Sequence, residues 1–410
     1  MKVPEPLSLA FGSEFERLIS DFITQENLLP PETTLGSNRF LARAVIPHIL
    51  KLSQLFNRED KNQASSLPAY WKDSSNPQNL RLAYFLYFMP CNLFRMASIW
   101  AELSRLGFRW KPKTMRGIEF GAGPASGMCG IAAGEKFASV GAPPSANWAL
   151  IEQDQAMLEM GARWAQVYTQ TLGSTDWSTR TFHRKIDLNR GFLPKSAPDF
   201  NLWIMSYYLN ELEITPQALA PLLLDAWDQH LEEDGLVILM EPALKLQSRK
   251  ILELRKAILL EQKRRKRDDL LILLPCLGHQ TCGALENPED WCHEEVTWWR
   301  PPYLRKLDQL AGLDRKSLPF SYLVIHKTRR SREEVLPALK RAPENKRHRL
   351  VSPAHAEGRD LEFFTCGQDG KRRARLRTEQ LIQRGDILLG SELRGDVNAS
   401  RVEGKPEIIE

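Results

Sequence analysis

Three cysteines stand in the stretch LLPCLGHQTCGALENPEDWCH, residues 273–293, as Cys276, Cys282 and Cys292. Thiolates are soft ligands, and four donors are needed to close a tetrahedral thiolate site or to hold an iron–sulfur cube. The gaps between these three are wider than the tight cysteine pairs of structural zinc sites, and no CxxC occurs. A fourth donor must come from elsewhere. Cys91 in FMPCNLF and Cys129 in GMCGIAA sit in apolar helical surroundings and read as buried free thiols. Cys366 in FFTCGQDGKRR differs, because it ends a strand before a polar turn and can point towards a neighbouring module. His279 and His293 stand near the cysteines in sequence, but a neutral core or surface imidazole is the commoner role. Six cysteines in 410 residues, without a secretory leader, point to metal or cluster chemistry rather than to a disulfide framework.

A second constellation begins at GIEFGAGPASG. Gly121 and Gly123 fall in a turn between a strand and a helix, where glycine lets backbone approach a ligand and the helix start offers unpaired N–H groups. Glu119 precedes the glycines, and Glu152 ends the next strand in WALIEQD, a position suited to ribose hydroxyls. Ala125 stands where a dinucleotide fingerprint has its third glycine. The pattern looks like the S-adenosylmethionine pocket of the class I methyltransferase fold. In that fold Asp187 in KIDLN would meet the adenine amino group, and Ser206 and Tyr207 would lie beside the methyl group. Asp187 also reads as a helix cap and Ser206 as a core hydroxyl. Catalysis is less legible. SYYLNELE is neither an Asn/Asp-Pro-Pro-aromatic loop nor a Pro-Cys nucleophile, and Glu211 and Tyr207 are the candidate proton acceptors.

These residues need a scaffold. Apolar positions at three- and four-residue steps predict helices over residues 1–110, with the polar linker KDSSNPQ before the last of them. From 111 to 330 short apolar runs alternate with helices. RGIEFGAG, NWALIEQD, HRKIDLN, FNLWIMSYY and GLVILMEP read as buried strands at a βαβ rhythm. Residues 335–393 read as a small β-rich module and 394–410 as a loose tail. The longest apolar run, LAYFLYFMPCNLF, is too short and too interrupted for a membrane span. The acidic start, MKVPEPLSLAFGSEFERL, reads as mature protein, which makes the cytoplasm the expected compartment. A net charge of +5 is small for this length, so distribution matters more than total. KRRKR at 263–267, preceded by Arg249, Lys250, Arg255 and Lys256, and a second run from Lys371 to Arg377 together suggest contact with a phosphate backbone.

The series EFGAGPAS, IEQDQAM, SYYLNEL, MEPA, PC(x5)C, DWCH, FSYLVI and TCGQDGK resembles the methyltransferase-like small-ribosomal-subunit assembly proteins of bacteria and mitochondria, over residues 80–390. The resemblance implies a class I methyltransferase, Rossmann-like fold that carries S-adenosylmethionine and associates with the small ribosomal subunit or its rRNA. It also implies a 4Fe–4S cluster held by Cys276, Cys282, Cys292 and Cys366, with zinc as the competing metal. No DNA or membrane partner is expected. The departures are Ala125 for a common glycine, and MEP followed by Ala-Leu rather than Gly. An active rRNA methyltransferase and a small-molecule methyltransferase are the alternative readings.

Overall fold

The computed structural model describes residues 1, 3–29, 35–57, 76–143, 145–174, 176–278, 282–397 and 399–409. His279 and residues 72–75 of the expected linker lie outside them. Helix α1, Ser13–Gln25, buries Phe15, Ile19, Phe22 and Ile23, one stripe at helical spacing, and α2 is Ile46–Phe56. Helix α3, Pro77–Ala83, starts at Asn76, whose side chain accepts from Asn79 N–H, with proline at the first turn. A π-helical turn, Tyr84–Phe88, links it to α4, Met89–Arg105. Such turns often sit at functional sites. Here Tyr84, Phe88, Asn92 and Arg95 share one face.

Strand β1, Met115–Phe120, then opens the main sheet, followed by α5, Ser126–Phe137, and β2, Ser145–Glu152. Next come α6, Gln155–Thr171, β3, Asp176–His183, β4, Phe200–Ser206, and α7, Pro216–His230. Strand β5, Leu231–Pro242, leads into α8, Lys245–Arg264, and the element series closes with β6, Leu270–Leu274, β7, Glu294–Thr297, α9, Pro302–Ala311, and β8, Ser317–Lys327. The sheet order is β3-β2-β1-β4-β5-β8-β6, with β1 to β5 parallel and β8 antiparallel to both neighbours. This is the class I methyltransferase arrangement of an α/β Rossmann-like sheet. Strand order reverses between β1 and β4, which leaves a crevice at their carboxyl ends.

Alternation divides the core. Leu202, Ile204, Leu236, Ile238 and Met240 face α4 and α5, whereas Trp203, Met205, Val237 and Leu239 face α7 and α8. Helix α5 approaches α4 closely because its glycines allow it: a Cβ on Gly130 would lie 2.5 Å from Met96 Cβ, and one on Gly134 would lie 2.7 Å from Trp100 Cβ.

The second sheet comprises β9, Arg347–Leu350, β10, His355–Glu357, β11, Asp360–Gly367, β12, Gly370–Leu376, β13, Ile387–Leu389, β14, Glu392–Arg394, β15, Ser400–Glu403, and β16, Glu407–Ile409. Its order is β14-β15-β12-β11-β9-β13-β16, with β10 on β11. Three local expectations are corrected. The tail expected to be loose at 394–410 contributes β15 and β16, because Val402 and Ile409 are apolar side chains that find buried seats. The third strand is DWSTRTFH rather than HRKIDLN; as an edge strand with exposed positions it carries polar residues that hide its pattern. Strands β6 and β7 flank the cysteine loop where a longer loop was expected, both pairing with β8.

The two sheets are joined by a buried guanidinium. Arg349 of β9, 2% exposed, lies 2.8 Å from Glu102 of α4 and 3.1 Å from Glu294 of β7. Burial would raise the Glu102 carboxyl, but Arg105 and Arg349 outweigh it and hold the group at about 2. Removing one partner of such a set strands a buried charge. Arg349→Ala should therefore cost about 3–5 kcal/mol in denaturant unfolding. Because a depressed carboxyl stabilises above its unfolded pKa and loses that contribution as pH falls, stability attributed to Glu102 should vanish between about pH 4.5 and 2 in the wild type and be smaller in the variant, where Arg105 alone remains.

Candidate functional site

A cavity of about 740 Å³ opens at the carboxyl ends of β1, β2 and β4, within the usual size range of small-molecule sites. Gly121, Gly123, Glu152, Asp187 and Ser206 all line it. Gly121 and Gly123 have φ of +63° and +50°, and a Cβ on Gly121 would stand 2.7 Å from the Tyr208 ring. Ala125 takes φ +58° in the same turn despite its methyl group, so the missing glycine is replaced without changing the backbone course.

Glu119 has a different place from the one its motif suggested. It is buried beneath the turn, and its oxygens accept from Gly127 N–H at 2.8 Å and Met128 N–H at 2.9 Å, which caps α5 rather than lining the cavity. Burial raises its carboxyl to about 7 against the pull of those two bonds. Glu152 accepts from Gly123, Gln153 and Asp154 N–H groups at 2.7–3.0 Å, which fixes this wall of the cavity. An ionised carboxylate offers about four acceptor positions, so capacity for a ligand hydroxyl remains. Asp187 accepts from Asn189 N–H at 3.1 Å and caps a short 3₁₀ turn while still facing the cavity.

The SYYLNEL segment is pinned from below. Glu241 accepts from Leu209 N–H at 2.7 Å, and Lys250 Nζ donates to the carbonyls of Leu209 and Leu212 at 2.6 and 2.9 Å. Tyr207 adopts φ +58°. Burial, then the charges of Glu152 and Glu241, raises the Glu211 carboxyl to about 8. At neutral pH Glu211 holds its proton, so it donates a hydrogen bond better than it accepts a proton.

Several residues at or behind the wall were not singled out by the sequence as cavity residues. Arg81 on α3 grips Asp154 through two bonds of 2.9 and 2.8 Å, which docks the N-terminal helices on the cavity. Arg95, Trp291, His293 and Arg315 line it, and Arg81 acts through Asp154. Gly161 on α6 lies behind the glycine turn, and a Cβ there would be 2.4 Å from the Gly123 carbonyl oxygen. A lone glycine inside the helical EMGARW was the only hint of such close packing.

Loop 276–292 is clamped by cations from three directions. Arg249 Nη1 donates to the carbonyls of Ala284, Asn287 and Asp290, Arg255 to Gly278, and Arg332 to Ile272 and Leu277. Lys371 of β12 reaches Asp290 at 2.6 Å, and a Cβ on Gly283 would meet Lys371 N at 2.5 Å. Lys371 is the cross-strand partner of Cys366, so these contacts bring the fourth cysteine to the loop. Burial pushes the Cys366 thiol up to about 12, with charges on Cys276 and Cys282 adding to it, and burial plus the other three thiols raises Cys292 well above its ordinary range. Among the described residues no group of three His, Cys, Asp or Glu side chains is placed to hold a metal ion. Cys91 and Cys129 are buried free thiols, and His293 lines the cavity stacked on Trp291.

The basic runs are largely committed inside the molecule. Arg265 pairs with Asp225 and Glu261, Arg267 with Asp228 and Asp269, and Arg264 with Glu261. Arg372, Arg373, Arg375 and Arg377 pair with Asp369, Glu362 and Asp360. The sequence shows the cations but not these partners; Arg264, Arg373, Arg375 and Arg377 stay solvent-exposed, and surface pairs of this kind are weak enough for a phosphate to displace.

Two outcomes follow. Gly161→Ala should weaken S-adenosylhomocysteine binding about tenfold in calorimetry, through displacement of the turn, although alanine favours the helix itself. Glu211 binds in the folded chain, up to about pH 8, a proton that the unfolded chain gives up near its ordinary value of 4.5. Stability should therefore fall as pH rises through that window, and Glu211→Gln should flatten the fall, gaining on the order of 1–2 kcal/mol at pH 8 in thermal unfolding.

No curated protein matches the chain. Solved structures similar to it include the precorrin-6y C5,15-methyltransferase from Geobacter metallireducens GS-15, at 12% identity over 55% of this chain and 85% of that one, TM-score 0.30. The plantazolicin methyltransferase BpumL in complex with SAH aligns at 12% identity over 71% and 99%, TM-score 0.29. A putative class I S-adenosylmethionine-dependent methyltransferase from Listeria monocytogenes aligns at 8% over 71% and 89%, TM-score 0.33. The family described as mitochondrial small ribosomal subunit Rsm22 matches residues 79–391, a span that includes the cavity's sheet, the SYYLNEL segment and Cys276, Cys282, Cys292 and Cys366. The chain belongs to the Rsm22 family.

Proposed function

We propose that this chain binds S-adenosylmethionine in the cavity and works with the small ribosomal subunit, or its rRNA, in ribosome assembly or translation, with a 4Fe–4S cluster on Cys276, Cys282, Cys292 and Cys366. The observation that carries this reading is the family match over residues 79–391, which takes in cavity and cysteines together. In the proposal Gly121 and Gly123 let the backbone close on the cofactor, Glu152 takes the ribose hydroxyls, Asp187 the adenine amino group, and Ser206 lies beside the methyl group. Glu119 acts one layer below, through the helix start it caps. When bound, the cofactor supplies a methyl group on a sulfonium. Cytoplasmic placement is part of the proposal, while the family description names the mitochondrial small subunit. Among the described residues no helix is long and apolar enough to cross a membrane.

The donor set fits a thiolate-held cluster. The four thiols are half-buried, and Cys292 and Cys366, raised by burial and by neighbouring cysteines, need positive charge beside them to exist as thiolates. Zinc is the competing metal for the same four donors. The cluster's role is a staple between the two sheets.

Active rRNA methylation is the second reading, supported by the extension of the cavity past Ser206 to Trp291 and Arg315. Anaerobically purified protein should be brown, with about four iron and four sulfide per chain, and Cys366→Ser should lose the iron. A colourless protein with one zinc would overturn the cluster. Subunit binding that survives Gly121→Arg, with no transfer from labelled cofactor in either form, supports the assembly role; transfer by the wild type that is lost in the variant supports the enzyme.

A further inference from the structure

The cavity has an end that the adenosyl group does not explain. Glu152 and Asp187 mark its nucleoside side, at β2 and β3, and the glycine turn lies between them and β4. Beyond β4 the wall changes character. Arg95, on the α4 face that includes Tyr84, Phe88 and Asn92, is 5% exposed and has no carboxylate partner among the described residues. Its Nη1 donates to Asn92 Oδ1 at 2.9 Å, its guanidinium lies 5.9 Å from the Tyr207 ring centroid, and its Nε makes no hydrogen bond. Arg315 approaches from the other side, over the rings of Tyr87 and Phe88 at 5.4 and 5.9 Å. Its Nε donates to the Tyr87 hydroxyl at 3.3 Å, while the nearby Asp308 carboxylate is taken by Tyr87 and Arg300, so Arg315 too lacks an ion pair among the described residues. Both guanidiniums act on the Tyr207 hydroxyl and the Cys91 thiol, which places them in one locale.

A buried guanidinium is ordinarily matched by a carboxylate. Arg349 in this same chain has two. Two cations that face one cavity without such partners describe a seat waiting for an oxyanion, and the planar guanidinium fork matches carboxylate and phosphate alike. We infer that Arg95 and Arg315 form an oxyanion seat at the β4 end of the cavity, filled either by the amino-acid carboxylate of the cofactor or by a phosphate of an acceptor nucleotide. The first source rests on the cofactor reading; the second does not.

The test is calorimetric titration of the full chain and of Arg95→Gln, Arg95→Lys and Arg315→Gln. The probes are S-adenosylhomocysteine, methylthioadenosine, which lacks the carboxylate, and uridine 5′-monophosphate with and without S-adenosylhomocysteine. If the cofactor carboxylate fills the seat, each Gln variant should weaken S-adenosylhomocysteine about 10–100-fold, leave methylthioadenosine within about twofold, and Arg95→Lys should recover part of the loss. If a phosphate fills it, S-adenosylhomocysteine should bind unchanged and the nucleotide should lose about 10–100-fold instead. Variants that bind every probe as the wild type does would overturn the seat. A wild type that binds neither adenosyl compound would overturn the cofactor reading alone, and the nucleotide titration would then decide the seat. Arg315 is half-buried, so its variant keeps the test readable if Arg95→Gln does not fold.

Discussion

A guanidinium removed from water must meet opposite charge, and Arg349 of the second sheet meets it only because α4 and β7, both on the main-sheet side, deliver Glu102 and Glu294 to the same point. That requirement fixes how the two sheets sit. Arg349 is also the cross-strand partner of Cys366, so the pairing that satisfies its charge sets the fourth thiol beside the loop that carries the other three. Helix α4, which supplies Glu102 at one end, supplies Arg95 and Asn92 to the cavity further along. Cavity, thiols and module boundary therefore share one rigid reference.

The glycine turn, Glu152 and Ser206 were legible because their geometry is local. A turn that needs positive φ asks for glycine, and a strand end on a parallel sheet has a known neighbour. Cys366 was legible for a weaker reason, its polar turn and the order of the motifs around it. Glu119 and Asp187 show the limit. Both are carboxylates where carboxylates were expected, yet each bonds first to backbone N–H groups of its own turn or the following helix. Arg95 and Arg315 were not legible at all, since 220 positions separate them in the numbering and neither belongs to a motif. Their meeting is a product of α4 packing beside the sheet.

The basic runs carry partners that were only partly legible. Glu261 stands three and four residues before Arg264 and Arg265, a helical pairing that the sequence did display. Asp225 and Asp228, on the adjacent α7, were not visible in that way. Arg249 and Arg255 turn towards carbonyl groups of the cysteine loop, so α8 functions as a set of clamps more than as a charged surface. The hydrogen bonds from those side chains satisfy a loop whose backbone has little regular structure of its own.

The tripeptide at 291–293 condenses the arrangement. Trp291 and His293 line the cavity, while Cys292 between them does not. Where neighbouring side chains point to opposite sides, a chain one residue thick becomes a party wall between two chambers. Neither chamber owns it. A substitution that refits the wall for one tenant reshapes the room of the other, so this short stretch answers to two selections at once.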